Sequence, residues 1–386
     1  MQGGTVSHHH PEFPQDPGLI YLNHAAVAPW PARTAEAVRR FAEENLRVGA
    51  LHYARWLETE QNLRESLRAL LNAASADDIA LLKNTSEALS VVAHGLDWRP
   101  GDVVITARQE FPSNRVVWES LREQGVEVRL ADLSEADTPE EALIALADER
   151  TRLLSISSVQ YGTGLRMDLA RLGRYCHEHG ILFCIDAIQS LGALRMDVQA
   201  IQADFVMADG HKWMLGPEGL AVFYATPGAR ERLRLRQYGW HMLEHPGDYD
   251  RLDWRIAPNA RRFECGSPNM LGIHALQASL SLLHETGMAN VERAVLQRAV
   301  RLFDLIREHD ELELLTPTAA DRHGGIVTFR HRTADAAALW QHLTRCGVVC
   351  AVRGGGIRFS PHFYTPLDQL ERAVESVLSY KPHAVA

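Results

Sequence analysis

Residues 181–224 read ILFCIDAIQSLGALRMDVQAIQADFVMADGHKWMLGPEGLAVFY. Apolar runs occupy 181–185, 205–207 and 220–224. The first is continuous, the pattern of a strand buried on both faces. The second and third follow each other with no helical stretch between, so one strand is expected to run antiparallel. Upstream, further β-branched runs at 79–82, 103–106, 126–130 and 153–156 alternate with helix-like stretches near 86–95, 114–124, 139–148 and 168–179. This alternation predicts an α/β chain with a mostly parallel central sheet and helices on both faces. A short strand at 19–22 and helices near 32–47 and 56–72 come before it. Residues 227–268 read as irregular, then helices near 270–286 and 290–309. The end of the chain reads strand, helix, strand, strand, helix, at 325–329, 335–345, 348–352, 357–360 and 367–380. The expected division is a tail at 1–20, a large domain at 21–265 whose first segment packs near the small one, and a small C-terminal α+β domain at 266–386.

A chain of 386 residues is long enough for two cores. The net charge of -9 argues against nucleic acid or anionic membrane as the main partner. No apolar run approaches the roughly 18 residues of a membrane span, and the first 20 residues lack the apolar core of a signal peptide. The five cysteines, Cys176, Cys184, Cys265, Cys346 and Cys350, form no C-x-x-C pair. Neither a disulfide framework nor a zinc site is expected, and a reducing cytoplasm fits best. The histidine run at 8–10 reads as a disordered polar tail rather than a metal site.

Only three of the 40 basic side chains are lysines: Lys83, Lys212 and Lys381. Lys83 and Lys381 read as solvated. Lys212 lies between His211 and Trp213 among apolar residues, where an amine is desolvated, loses proton affinity and becomes nucleophilic. Asp186 ends a buried strand, where ligands of open sheets bind, and a carboxylate there needs a cation. A chain-turning aspartate is the alternative. Asn84, with Glu87 three residues on, reads as a helix cap that puts Thr85 and Ser86 in the first turn, where backbone N–H groups favour anions. An amine for an aldehyde, an acid for a ring nitrogen and a helix start for a phosphate are together what pyridoxal phosphate requires.

The stretch from Asp186 to Tyr224 resembles the cofactor-lysine signature of the class V aminotransferases, pyridoxal-phosphate enzymes of fold type I that include cysteine desulfurases, kynureninase and isopenicillin N epimerase-like enzymes. Five further stretches resemble that family in order: YLNHAAVAPWP, NTSEAL, EFPSN, RRFECGSPN and IRFSPHFYT. The resemblance implies that Lys212 forms a Schiff base with the cofactor and, once freed, moves the substrate α-proton. It implies that Asp186 pairs with the pyridine nitrogen and that Gln189 approaches the ring hydroxyl. Thr85, Ser86 and His211 would hold the phosphate, joined by Ser267 of a second protomer across a homodimer with shared sites. Phe111 would stack on the ring, and Tyr161 and Trp240 would line the pocket. Arg358 would clamp the substrate carboxylate, with Asn23 and His24 closing the substrate side.

Two departures stand out. Asp209 occupies a position where desulfurase-like relatives carry a small hydroxyl, and it is expected to cap the turn. The span CAVRGGGIRFS lacks the mobile cysteine loop of desulfurases, and Cys350 reads as core, so a persulfide-forming desulfurase is disfavoured. Transamination or C–S β-elimination of an amino acid is expected, with epimerisation as the alternative. A non-catalytic binding protein is the rival of another class, although such a protein would be expected to have lost Lys212, Asp186 or Arg358.

Overall fold

The computed structural model describes residues 10–134 and 138–381. His8 and His9 of the polar tail lie outside the described residues. The central sheet contains β1 (Ile79–Leu82), β2 (Val103–Ala107), β3 (Glu127–Ala131), β4 (Thr151–Ser157), β5 (Leu182–Asp186), β6 (Phe205–Asp209) and β7 (Ala221–Ala225). Their order is β1-β7-β6-β5-β4-β2-β3. β7 runs antiparallel to both its neighbours, and the other pairings are parallel. Residues 210–220 alone join β6 to β7, fewer than the dozen or so that a parallel crossover needs, so the chain turns back.

Successive side chains of β5 enter opposite layers. Phe183 and Ile185 join the core that contains Leu63, Leu67, Leu276 and Leu280. Leu182 and Cys184 join the core that contains Leu89, Val92, Phe205 and Phe223. Burial on both faces is why the run at 181–185 is continuous rather than alternating. The first layer holds helices α1 (Ala32–Val48), α2 (Tyr53–Leu71) and α4 (Met270–Thr286); the second holds α3 (Thr85–Gly95).

A second, antiparallel sheet has the order β10-β11-β9-β8, formed by β8 (Leu312–Leu314), β9 (Val327–His331), β10 (Ala351–Arg353) and β11 (Gly356–Phe359). Its core gathers Leu302, Phe303, Phe329, Phe359 and Val374, and also Ile20 and Leu22. Ile20–Tyr21 pairs in parallel with Val348–Val349, which ties the start of the chain to its last third. Helix α5 (Met288–Arg307) bridges the two bodies, with Val291 and Val295 in the first core and Ala299 and Ile306 in the C-terminal one.

One buried ion cluster fastens α2 to the sheet edge. Arg64 donates to the Ile79 carbonyl at 2.8 Å, to both oxygens of Glu264 at 2.7 and 2.8 Å, and to Glu60 at 2.5 Å. Burial alone would weaken the Arg64 charge, but the two carboxylates more than restore it. Removing one member of such a buried set strands the others. Arg64→Ala is therefore expected to cost about 3–5 kcal/mol, read as a lower denaturant midpoint at unchanged slope.

Candidate active site

Parallel strands bring their carboxyl ends to one edge of a sheet, where open α/β folds bind ligands. Here Ser157 at the end of β4 pairs with Asp186 at the end of β5, and Asp186 pairs with Met207 of β6. Lys212 follows three residues after the end of β6. Its turn is rigidly held. The Leu215 N–H donates to the Lys212 carbonyl at 3.1 Å, and Leu215 takes a left-handed φ of 61°. Trp213 is fully buried and donates from Nε1 to Gln189 Oε1 at 3.0 Å. His362 Nε2 lies 3.0 Å from the Trp213 carbonyl oxygen. Gly192 crosses so close that a Cβ there would lie 2.4 Å from the same oxygen, at a φ of 97°. With Trp213 anchored inward, Lys212 faces the sheet edge, its Nζ 5.8 Å from the centre of the Phe111 ring.

Burial lowers the proton affinity of the Lys212 amine. Arg358 and Arg353 lower it further, while Asp186 and Asp209 oppose them. Asp186 is 2% exposed and moves the other way. Burial raises it, the charge of Glu110 adds to the rise, and the Ile188 N–H, 3.0 Å from Oδ1, works against it. The pair thus offers a partly free amine beside a buried carboxyl that a cation would stabilise as the anion.

At the start of α3, Asn84 Oδ1 accepts the Glu87 N–H at 2.8 Å, and Glu87 accepts the Lys83 N–H at 2.7 Å. This cap leaves Thr85 and Ser86 in the first turn. Thr85 Oγ1 and His211 Nδ1 are buried with no partner in hydrogen-bonding geometry. Ser86 Oγ donates to Ser113 Oγ at 2.8 Å. Burial lowers His211 to about 4, with Lys212 adding, so the imidazole is neutral at physiological pH. Unpartnered polar groups at a helix start fit a phosphate, the buried carboxyl fits a pyridine nitrogen, and the amine fits an aldehyde.

On the other side, Arg358 is 2% exposed. Its Nη1 donates to the Tyr161 carbonyl at 2.9 Å, and its Nε has no partner. Burial lowers it to about 10, with the charge of Arg353 adding. The Tyr161 ring meets Phe111 edge-on at 5.2 Å. The Asn23 side-chain oxygen is buried and unpartnered, and its backbone bridges Ser360.

His24 and Gln189 have their polar atoms engaged by other parts of the chain. His24 is fully buried, with Nδ1 2.8 Å from the Ser360 carbonyl and Nε2 2.6 Å from the Tyr364 hydroxyl. Gln189 spends its amide on the Ala25 carbonyl at 3.0 Å and its oxygen on Trp213. Both fasten the N-terminal segment and the lysine turn. Ser267 is exposed and lines a cleft with Lys83, Glu87 and Gly219. Trp240 packs edge-on against Tyr249 at 6.1 Å and shares a cleft with Tyr53 and Arg261. Asp209 lies against the start of α3, where the Thr85 N–H and hydroxyl favour its anion; its Oδ1 is buried with no partner in hydrogen-bonding geometry, and Oδ2 lies 3.9 Å from His211 Nδ1.

Glu110 escaped the sequence reading. It is 3% exposed and accepts from the Ser157 N–H at 2.7 Å, Gln160 Nε2 at 2.7 Å and Asn114 Nδ2 at 3.0 Å, and also from the Ser157 hydroxyl. A single glutamate in a polar loop carries no sequence signal of burial. The one clue is its place directly before Phe111.

The sequence matches the Aminotransferase class-V family over residues 20–371. It is 30% identical to a probable cysteine desulfurase of Methanothermobacter thermautotrophicus, over 93% of this chain and 94% of that protein. The fold resembles the cystine C–S lyase C-DES in complex with its reaction product cysteine persulfide, with a TM-score of 0.87 at 21% identity over 95% of this chain and all of that one. A C-DES variant with glycine covalently linked to its pyridoxal-phosphate cofactor superimposes with a TM-score of 0.88 at 21% identity, over 96% and 99% of the two chains.

These likenesses overturn the expectation that a persulfide-type cysteine desulfurase is disfavoured. Relatives spanning nearly the whole chain carry the desulfurase name. The mistake lay in weighing one short span, residues 350–360, above the pattern of the entire chain. Cys350 is indeed buried, its thiol pushed up to about 12 by that burial. The state of one thiol, however, does not outweigh a likeness that spans nearly the whole chain. Matching the family's pattern over residues 20–371, this chain belongs to the class-V aminotransferase family.

Proposed function

We propose that this protein cleaves the C–S bond of a cysteine-type α-amino acid with pyridoxal phosphate as its cofactor. The observation that carries the reading is Arg358, a buried guanidinium with an unpartnered Nε that acts electrostatically on Lys212. A buried cation is costly unless an anion completes it, and a substrate α-carboxylate matches its planar fork. The relatives named cysteine desulfurase and the C–S lyase fold neighbour support sulfur chemistry.

Bound pyridoxal phosphate supplies an electron sink for negative charge at the substrate α-carbon. Lys212 takes the α-proton on Nζ, aided by the burial that lowers its own proton affinity. Asp186, a buried carboxyl at the end of β5, would stabilise the proton on a pyridine nitrogen. Thr85, Ser86 and His211 orient a phosphate at the start of α3. Phe111 and Tyr161 wall the side near Lys212. Arg358 would bind the substrate carboxylate through its buried guanidinium.

Incubation with cysteine and with cystine tests the proposal. Release of sulfide or persulfide together with pyruvate or alanine is expected. Recovery of a 2-oxo acid with its sulfur intact, or of the inverted amino acid, would replace this reading by transamination or epimerisation. Arg358→Ala is expected to lower kcat/KM by about 10²–10³-fold, the scale of losing one partner of a buried charge pair. Most of that loss should enter through KM, with Arg358→Lys restoring only part because an ammonium lacks the fork.

A further inference from the structure

Asp209 places a carboxyl group in the space where Thr85 Oγ1 and His211 Nδ1 lie unpartnered. It is 8% exposed, and its own Oδ1 is also without a partner. The 3.9 Å gap to His211 is too long for a hydrogen bond. The charged and titratable groups facing it are His211 and Lys212 from its own turn, Glu218 from the loop returning to β7, and Asp186 from β5. Helix α3 presents Thr85, which does not titrate here and whose N–H and hydroxyl favour the Asp209 anion.

A phosphate dianion and an aspartate anion cannot share this buried corner without strong repulsion. In the empty site burial keeps His211 neutral, so no positive charge on that ring stands ready to offset the repulsion. A protonated carboxyl would instead offer an O–H donor to a phosphate oxygen. We propose that Asp209 takes up one proton from solvent when the phosphate of the cofactor settles at the start of α3, so that cofactor loading is coupled to protonation of this side chain. The inference rests on the reading of the Lys212 group as a pyridoxal-phosphate site. The surroundings already lean this way: burial raises Asp209 to about 6, against the pull of Thr85 and Lys212.

The sign follows from linkage. Below about pH 6 the carboxyl is protonated in the empty protein as well, and affinity owes nothing to proton uptake. Above that, loading must also supply a proton, so affinity falls by up to about tenfold per pH unit. The test uses pyridoxamine phosphate, which has no aldehyde, so bonding to Lys212 does not enter. Its dissociation constant is measured calorimetrically across the neutral range for the native chain, Asp209→Ser and Asp209→Asn, in buffers of different ionisation enthalpy. The native chain should take up close to one more proton than either variant and lose affinity more steeply with rising pH. Titration of the phosphate itself is common to all three proteins and cancels in the comparison. Parallel curves with equal proton uptake would overturn the proposal. Failure of all three proteins to bind pyridoxamine phosphate or to turn yellow with pyridoxal phosphate would instead remove the cofactor reading on which it rests.

Discussion

Lys212→Ala is expected to reduce C–S cleavage by at least about 10³-fold, within the range of losing a positioned acid–base group. Lys212 is partly buried at this sheet edge, whereas the Lys83 side chain is exposed and paired with Glu87, and the Lys212 turn is fixed by Trp213, Gln189 and Gly192 independently of the amine. Truncation should therefore leave the fold intact, and thermal unfolding should be nearly unchanged. The second readout is covalent. Borohydride reduction of the native protein with pyridoxal phosphate should mark the peptide that contains Lys212, and the variant should carry no mark. Full activity in the variant, or a mark on Lys83 or Lys381, would refute the assignment of the amine.

Asp186→Asn is expected to lower kcat by about 10²–10⁴-fold. That range follows from a buried charge pair worth about 3–5 kcal/mol when one partner is removed, at about 1.4 kcal/mol per factor of ten. Asparagine keeps the shape and accepts the Ile188 N–H as the aspartate does, so packing is not the variable. What changes is the charge facing the pyridine nitrogen. In the native chain, burial and Glu110 raise the proton affinity of Asp186, and a cation in front of it reverses that shift. Cofactor binding should survive in the variant, since Thr85, Ser86 and His211 are untouched. Catalysis at native rates in the Asp186→Asn variant would mean that the ring nitrogen needs no counter-charge here.

Much of the fold is legible in the sequence, and for local reasons. Short apolar or β-branched runs bounded by turns locate β1 to β7, and the short link at 210–220 explains the antiparallel β7. The sequence is a weaker guide where tertiary contacts govern. The stretch near 139–148 is α-helical only over Pro139–Ile144, and the one near 114–124 ends in a 3₁₀ turn from Ser120. β8 is three residues long, too short to show a pattern, and exists because β9 pairs with it. The dismissal of desulfurase chemistry failed for the opposite reason: a local feature was given weight over a chain-wide likeness.

By itself the sequence determined the layered α/β architecture, the family and the cofactor, because apolar periodicity, connector length and ordered motifs are properties of neighbouring residues. Tertiary structure alone decided the electrostatics of the edge. Glu110 lies buried among Ser157, Gln160 and Asn114, Arg358 retains an unpartnered Nε, and Asp209 sits buried beside Thr85 and His211. Burial and charge compensation are set by groups far apart in the chain, and their energies exist only once folding has excluded water from between them.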